Sequence, residues 1–224
     1  MSIELQMIEI ALKPHYCKTD VSGSPYTSDV YLMDCMELMA KYPDNYFDLA
    51  VVDPPYGLNI INSGSRFKQY SKKNWDNEIP KDEYFTELFR VSKNQIIWGG
   101  NYFNLPGNKC FLIWDKIQPE GVSFAMAEYA WTSLNTVAKI HRQRVQGQEQ
   151  RFHPTQKPVK LYDWIFKNYA TEGMKILDTH LGSGSSRISA NKANLNFVGC
   201  EIDKEYFDKS QKRYDDFVSQ VRLW

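Results

Sequence analysis

The chain has 224 residues, 42% of them apolar, so its length and composition fit a single domain with a real hydrophobic core. Basic and acidic residues number 27 each, which gives a formal net charge of zero. A protein devoted to nucleic-acid binding is often basic overall, so any such binding here must rest on local basic patches.

The cysteines Cys17, Cys35, Cys110 and Cys200 are widely separated and form no C-x-x-C pair. This spacing argues against a disulfide framework and a structural zinc site, so we expect no metal. It fits a reduced, cytoplasmic compartment. The first nine residues contain two glutamates instead of an unbroken apolar core, and no stretch is long enough to span a membrane. We therefore expect neither a signal peptide nor a membrane segment.

The first half of the chain alternates predicted strands and helices after an irregular lead-in at 1–28, where turn-forming residues accumulate. Short apolar runs predict strands, and apolar residues at helical spacing predict helices. In chain order these are a strand at 30–33, a helix at 34–42, a strand at 47–53, a helix at 80–92, and strands at 95–100 and 110–115. The polar stretch 57–79 has no periodicity and is predicted to be a mobile loop.

The second half continues this alternation. The segments EYAWTS and TVAKIHR predict two strands, which we expect to pair with each other, and a polar loop follows at 142–152. After the loop the pattern predicts a helix at 158–170, a strand at 175–180, a helix ending at 193, a strand at 197–203 and a closing helix at 204–221. The alternation predicts an α/β fold whose mostly parallel sheet is covered by helices on both faces. Ligands of such sheets bind at the carboxyl ends of strands, where the winding reverses.

The tetrapeptide Asp53-Pro54-Pro55-Tyr56 ends a predicted buried strand. The two prolines fix the chain and remove two N–H donors while keeping their carbonyl acceptors. Asp53 and the Pro54 carbonyl can accept both hydrogens of an amino group on a planar base, and Tyr56 can stack on its face. The tetrapeptide is equally compatible with a strand end followed by a plain tight turn.

A glycine-rich turn, DTHLGSGSS, begins at Asp178 and leads from a predicted strand into a helix. Such a turn suits a nucleotide-like ligand that approaches backbone N–H groups. Glu201 ends the next predicted strand, where an acidic side chain can hold both hydroxyls of a ribose. Arg187 stands where a dinucleotide fingerprint has its third glycine, which argues against NAD or FAD.

A third motif, His153-Pro-Thr-Gln-Lys157-Pro158, leads into the helix predicted at 158–170. A proline in the first turn of a helix explains Pro158 but not the residues before it.

The order of the motifs resembles that of the amino-group DNA methyltransferases of the permuted beta class, in which the catalytic half comes first. In chain order the motifs are D-P-P-Y, H-P-T-Q-K-P, D-x-x-x-G-S-G-S and G-C-E-I. The resemblance covers roughly residues 29–217, and the segment WDNEIPKDEYFTELFRVSKNQIIWGGNYF resembles phage- and prophage-type members. It implies a Rossmann-like methyltransferase fold that uses S-adenosyl-L-methionine. The substrate would be double-stranded DNA, with a flipped adenine methylated at N6.

The resemblance divides a single methyltransferase domain into four parts: a lead-in at 1–28, a catalytic half at 29–115, a small target-recognition region at 116–152 and a cofactor-binding half at 153–224. The implied catalytic residues are Asp53, Pro54, Pro55 and Tyr56. The implied cofactor-binding residues are Asp34, Lys157, Pro158, Asp178, His180, Gly182, Ser183, Gly184, Ser185 and Glu201. His180 departs from the phenylalanine that many members carry, and a structural role is favoured for it.

Two basic stretches are the candidates for contact with DNA phosphates, although each can also be an ordinary solvated loop. The first holds Arg66, Lys68, Lys72 and Lys73, and the second holds Arg142, Arg144 and Arg151.

Other interpretations stay open. Cytosine N4 is an exocyclic amine that the same pocket can serve. Methyltransferases for RNA or protein glutamine usually have Asn in the first position and the cofactor motif ahead of it. A non-catalytic nucleic-acid-binding module is opposed by the intact Asp53 and Glu201. A homodimer and a cognate restriction endonuclease are both compatible with the family.

Overall fold

The computed structural model describes residues 16–17, 25–59, 76–121, 125–144 and 151–221. Within these residues one sheet contains the strands β1 (Tyr16–Cys17), β2 (Ser28–Leu32), β3 (Leu49–Val52), β4 (Gln95–Trp98), β5 (Phe111–Asp115), β6 (Ala127–Thr132), β7 (Lys139–Arg142), β8 (Lys175–Asp178) and β9 (Asn196–Glu201). The helices are α1 (Cys35–Met39), α2 (Asp82–Val91), α3 (Val159–Tyr169), α4 (Ser185–Lys192) and α5 (Lys204–Val221).

The predicted α/β fold with a mostly parallel sheet is confirmed. The strand order is β1-β2-β9-β8-β3-β4-β6-β5-β7. Five adjacent strands, β2, β9, β8, β3 and β4, are parallel to one another. β1 is antiparallel to β2, and β6 is antiparallel to β4 and β5. None of the helices in the described ranges is long and apolar enough to cross a membrane.

Helices pack on both faces of the sheet because side chains alternate along each central strand. On β3, Leu49 and Val51 belong to the core cluster that includes α3 and parts of α4 and α5. Ala50 and Val52 face the opposite way, into the cluster with α1 and α2. The apolar run of β3 is therefore buried on both sides.

The winding of the sheet reverses between β3 and β8. These strands are parallel neighbours, but the chain continues from β3 to β4 on one side and from β8 to β9 on the other. Their carboxyl ends therefore open a crevice of the kind in which α/β sheets bind ligands.

Two expectations from the sequence are wrong. The segments predicted to pair with each other form β6 and β7, but β5 lies between them. Both edges of β6 are already taken, by β4 and β5, so β7 can only add to the outer edge of β5. The lead-in is also not wholly irregular, because Tyr16–Cys17 pairs with β2. Most of the lead-in and of the loop predicted at 57–79 lies outside the described residues.

Candidate active site

A cavity of about 260 Å³ lies at the crevice between β3 and β8. Its lining comes from segments that are far apart in the chain: the turn after β2, the D-P-P-Y segment, the H-P-T-Q-K-P segment, the glycine turn and the end of β9. The predicted site residues that line it are Asp34, Asp53, Pro55, Lys157, His180, Gly182, Ser183, Ser185 and Glu201. The others lie within two residues of these along the chain, and they are Pro54, Tyr56, Pro158, Asp178 and Gly184.

Glu201 joins the end of β9 to the glycine turn. Its Oε2 accepts a hydrogen bond from the Gly182 N–H and its Oε1 accepts one from the Asp203 N–H, both at 2.9 Å. Gly184, which precedes α4, has a φ of +72°, a conformation that favours glycine. The Glu201 carboxylate keeps lone-pair capacity for a ligand hydroxyl. Burial raises the pKa of the Glu201 carboxyl.

Asp178 stabilises the glycine turn through hydrogen bonds to residues within and after it. Its carboxylate is buried and accepts hydrogen bonds from the His180 N–H at 3.0 Å and the Ser186 hydroxyl at 2.5 Å. Burial raises the pKa of this carboxyl to about 7. A carboxyl with that pKa changes charge near neutral pH and responds to a cation placed close to it.

His180 contributes a neutral ring to the cavity wall. Burial lowers the pKa of its imidazole to about 4. Thr179 Oγ1 lies 3.0 Å from its Nδ1, and the ring stands edge-on to Tyr84 with centroids 5.4 Å apart. These contacts hold the ring in place without a charge.

Asp34 is fixed at the cavity edge, where it caps α1. Its Oδ1 accepts a hydrogen bond from the Met36 N–H at 2.7 Å. The capping role explains an acidic residue here on structural grounds and leaves the other carboxylate oxygen for a ligand.

Asp53 is the centre of a tightly connected polar group. The Tyr56 hydroxyl donates to Asp53 Oδ1 at 2.5 Å, and Lys157 Nζ lies 2.5 Å from Oδ2. The Asp53 side chain keeps 19% exposure, whereas Lys157 keeps only 4%. Lys157 therefore contacts the carboxylate of D-P-P-Y directly, in addition to lining the cavity.

The Tyr56 ring is held by close packing around it. It stacks on the Tyr102 ring with centroids 5.0 Å apart and an interplanar angle of 16°. Gly99 has a φ of +69°, and a Cβ at this position would lie 2.2 Å from the Tyr56 ring. Only glycine lets the ring rest this close to the backbone that follows β4.

Comparison with known proteins identifies the family of this chain. A family model described as DNA methylase matches residues 97–212, more than half of the chain. The family includes both N6 and N4 methyltransferases. The chain belongs to this N6/N4 DNA methylase family. It is a DNA amino-methyltransferase, and S-adenosylmethionine is its methyl donor.

Similar proteins support this membership. The chain is 32% identical to the type II methyltransferase M1.MboII of Moraxella bovis, over 81% of this chain and 94% of that protein. It is 24% identical to the type II methyltransferase M2.MboI of the same species, over 94% of each chain.

Solved structures support the fold. The complex of M1.HpyAVI with S-adenosylmethionine matches 82% of this chain and 97% of that one, with a TM-score of 0.57 at 19% identity. The cytosine-N4-specific PvuII DNA methyltransferase matches 88% and 94%, with a TM-score of 0.59 at 13% identity.

The cavity of the methylase suits the chemistry of its cofactor. S-adenosylmethionine carries a sulfonium, an ammonium, a carboxylate and a ribose. The acidic groups Asp178 and Glu201 at or beside the cavity favour the positive groups, and Glu201 can accept from hydroxyls. The N–H groups that open α4 favour a negative group.

Several residues of the methylase site were missed by the sequence analysis. His153 lines the cavity, where burial lowers the pKa of its ring to about 3, and it packs edge-on against Tyr206 with centroids 4.3 Å apart. Asp76 Oδ1 accepts from the N–H groups of Tyr56 and Gly57, at 3.0 and 3.1 Å. Glu128 contacts Lys157. Of these, only His153 had a sequence signal, because it opens the H-P-T-Q-K-P motif.

The basic residues proposed to contact DNA have mixed surroundings. Arg142 is exposed at the end of β7, with its Nε 3.2 Å from Asp115. Arg144 is exposed as well. Arg151 donates to the Pro154 carbonyl at 3.2 Å and so braces the H-P-T-Q-K-P segment. The first basic stretch, with Arg66, Lys68, Lys72 and Lys73, lies outside the described residues.

Proposed function

We propose that this chain methylates N6 of adenine in double-stranded DNA. The observation that carries the proposal is the D-P-P-Y segment at the cavity, with Asp53 in its first position. The resemblance to amino-group methyltransferases favours adenine for Asp and cytosine N4 for Ser. Stacking on Tyr56 points the same way, because adenine presents a larger ring face than cytosine.

The duplex hides the amino group, so the base must flip out of the stack. The lone pair of this amine is conjugated into the ring and is a poor nucleophile. Asp53 and the Pro54 carbonyl would accept hydrogen bonds from its two N–H groups and offset the positive charge that develops on the nitrogen, which then loses one of these protons. When bound, S-adenosylmethionine supplies an electrophilic methyl group on a sulfonium. The residues around the cavity would hold donor and acceptor in line, which contributes much of the remaining acceleration.

The other expected roles remain part of the proposal. Asp34 would contact the adenine of the cofactor, Glu201 its ribose, and the glycine turn its methionine end. The target-recognition region would lie within residues 116–152. Because β6 and β7 belong to the sheet, it would consist of the connections before and after these two strands. A homodimer, a cognate restriction endonuclease and membership of the phage- and prophage-type group stay predictions.

The product tests the proposed base. We expect nucleoside mass spectrometry of DNA methylated by the purified chain to find N6-methyladenine as the main product. N4-methylcytosine as the main product would overturn the choice of adenine. Parallel reactions on RNA and protein with radiolabelled cofactor test the other substrate classes, and DNA should take up the label.

The pH dependence of cofactor binding tests the role of Asp178. Its pKa of about 7 means that the carboxyl is neutral below that pH and ionised above it. An ionised carboxyl attracts the cationic cofactor, so affinity should rise with pH through about 7, by roughly tenfold per pH unit at most for one linked proton. Calorimetry from pH 6 to 8 measures this rise.

The matched control for this pH series is Asp178→Asn. The titration of the cofactor itself is common to both proteins, so the variant should show a flatter profile. His153 and His180 stay neutral across this range because burial lowers their pKa values to about 3 and about 4. If the affinity for S-adenosylmethionine rises with pH equally in both proteins, the ionisation of Asp178 is not linked to cofactor binding.

A further inference from the structure

A line of alternating charges leads from Asp53 into the outer part of the sheet. Lys157 Nζ lies 2.5 Å from Asp53 Oδ2 and 3.1 Å from Glu128 Oε2. The other oxygen of Glu128, Oε1, lies 2.5 Å from Lys116 Nζ. All four side chains are largely shielded from water, with exposures of 19%, 4%, 23% and 14% from Asp53 to Lys116.

The position of the Lys157 ammonium is set from several sides. It lies over the rings of Trp98 and Tyr56, 5.4 and 5.7 Å from their centroids. Glu128 approaches from β6, where it pairs with Trp114 of β5. A buried ammonium is costly without carboxylate partners, and here it has two. Burial lowers the pKa of Lys157, but Asp53 and Glu128 outweigh that effect and raise it, so the ammonium stays charged.

The positive charge of Lys157 matters for the reaction because it lies against Asp53. Asp53 can offset positive charge on the target nitrogen only to the extent that its own negative charge is not already neutralised. Lys157 alone would neutralise it. Glu128 shares the Lys157 ammonium with Asp53, so Lys157 neutralises Asp53 only in part. Lys116, which pairs with the other oxygen of Glu128, limits this effect.

We propose that Glu128 is a positioning residue for methyl transfer, which acts through Lys157 to keep the Asp53 carboxylate oriented and available to the target amino group. The proposal rests on the role of Asp53 proposed above. Glu128 itself would contact neither the base nor the cofactor, which agrees with its absence from the cavity lining.

The test is a double-mutant cycle of Glu128→Gln and Lys157→Met, read by single-turnover methyl transfer to DNA. Loss of a charge-assisted contact corresponds to about tenfold or more, so we expect Glu128→Gln to slow the reaction by about that factor. Its affinity for S-adenosylmethionine should stay close to that of the parent. In the Lys157→Met background the same change should cost less than about threefold, because residues that act as a unit are not additive.

The matched control is Asp163→Asn, which also removes a carboxylate from an ion pair, with Lys192, outside the cavity. It should retain the parent rate. The proposal is overturned if Glu128→Gln transfers methyl groups as fast as this control. It is also overturned if Glu128→Gln slows the reaction by the same factor in the Lys157→Met background as in the parent. Glu128→Asp is the second variant if Glu128→Gln does not fold, because its side chain is one methylene shorter and moves the carboxylate away from Lys157. Methyl transfer by Glu128→Asp at the rate of the parent would equally contradict the proposal.

The parent protein separates this inference from the proposed function. Absence of methyl transfer to DNA by the parent, or a near-normal rate for Asp53→Ala, would overturn the role of Asp53 and this inference together. An active parent that requires Asp53, combined with a fast Glu128→Gln, would overturn the inference alone.

Discussion

Replacing Asp53 with alanine is expected to slow methyl transfer by about 10²–10³ or more, the scale of one group that stabilises a transition state. Asp53 accepts from Tyr56 and Lys157, and it is the carboxylate at the cavity that belongs to D-P-P-Y. Without it, nothing else in that segment bears the negative charge that offsets the developing cation. Single-turnover kinetics on DNA measures the loss.

Cofactor affinity is the control for this variant. Asp53 would face the base, so binding of S-adenosylmethionine should be nearly unchanged. Tyr56→Phe is the graded comparison, because it keeps the stacking ring and removes only the hydroxyl that donates to Asp53 Oδ1 at 2.5 Å. We expect a smaller loss of rate for Tyr56→Phe than for Asp53→Ala. Near-normal transfer by folded Asp53→Ala would remove Asp53 from the mechanism.

Replacing Glu201 with alanine is expected to weaken binding of S-adenosylmethionine by roughly tenfold or more, because a hydrogen bond to a charged group contributes about 1.5–3 kcal/mol. The structure adds a second reason. Glu201 also accepts from the N–H groups of Gly182 and Asp203, so its loss frees the glycine turn from the end of β9. Calorimetry measures the affinity.

Two further variants make the Glu201 experiment specific. Glu201→Gln keeps the shape and one oxygen acceptor, so it should lose less affinity than the alanine variant. Glu205→Gln removes a partly exposed carboxylate from the same part of the chain, where it pairs with Lys209, and should bind like the parent. An unchanged affinity in folded Glu201→Ala would exclude Glu201 as a cofactor ligand.

The residues that the sequence placed at the carboxyl ends of strands converge in the structure. D-P-P-Y follows β3 and the glycine turn follows β8, and these strands are parallel neighbours at the reversal of the sheet. This could be predicted because apolar runs mark buried strands, alternation with helices makes them parallel, and parallel strands present their carboxyl ends at one edge.

By itself, the sequence determined most elements of the fold, the order of the motifs and about half of the residues that line the cavity, because these depend on local periodicity and on residue type. The tertiary structure alone decided that β5 separates β6 from β7, and that Lys157 lies against Asp53 with Glu128 behind it. The physical reason is that edge pairing and buried ion pairs join residues far apart in the chain. Which charges meet depends on strand order, and neither spacing nor composition records that order.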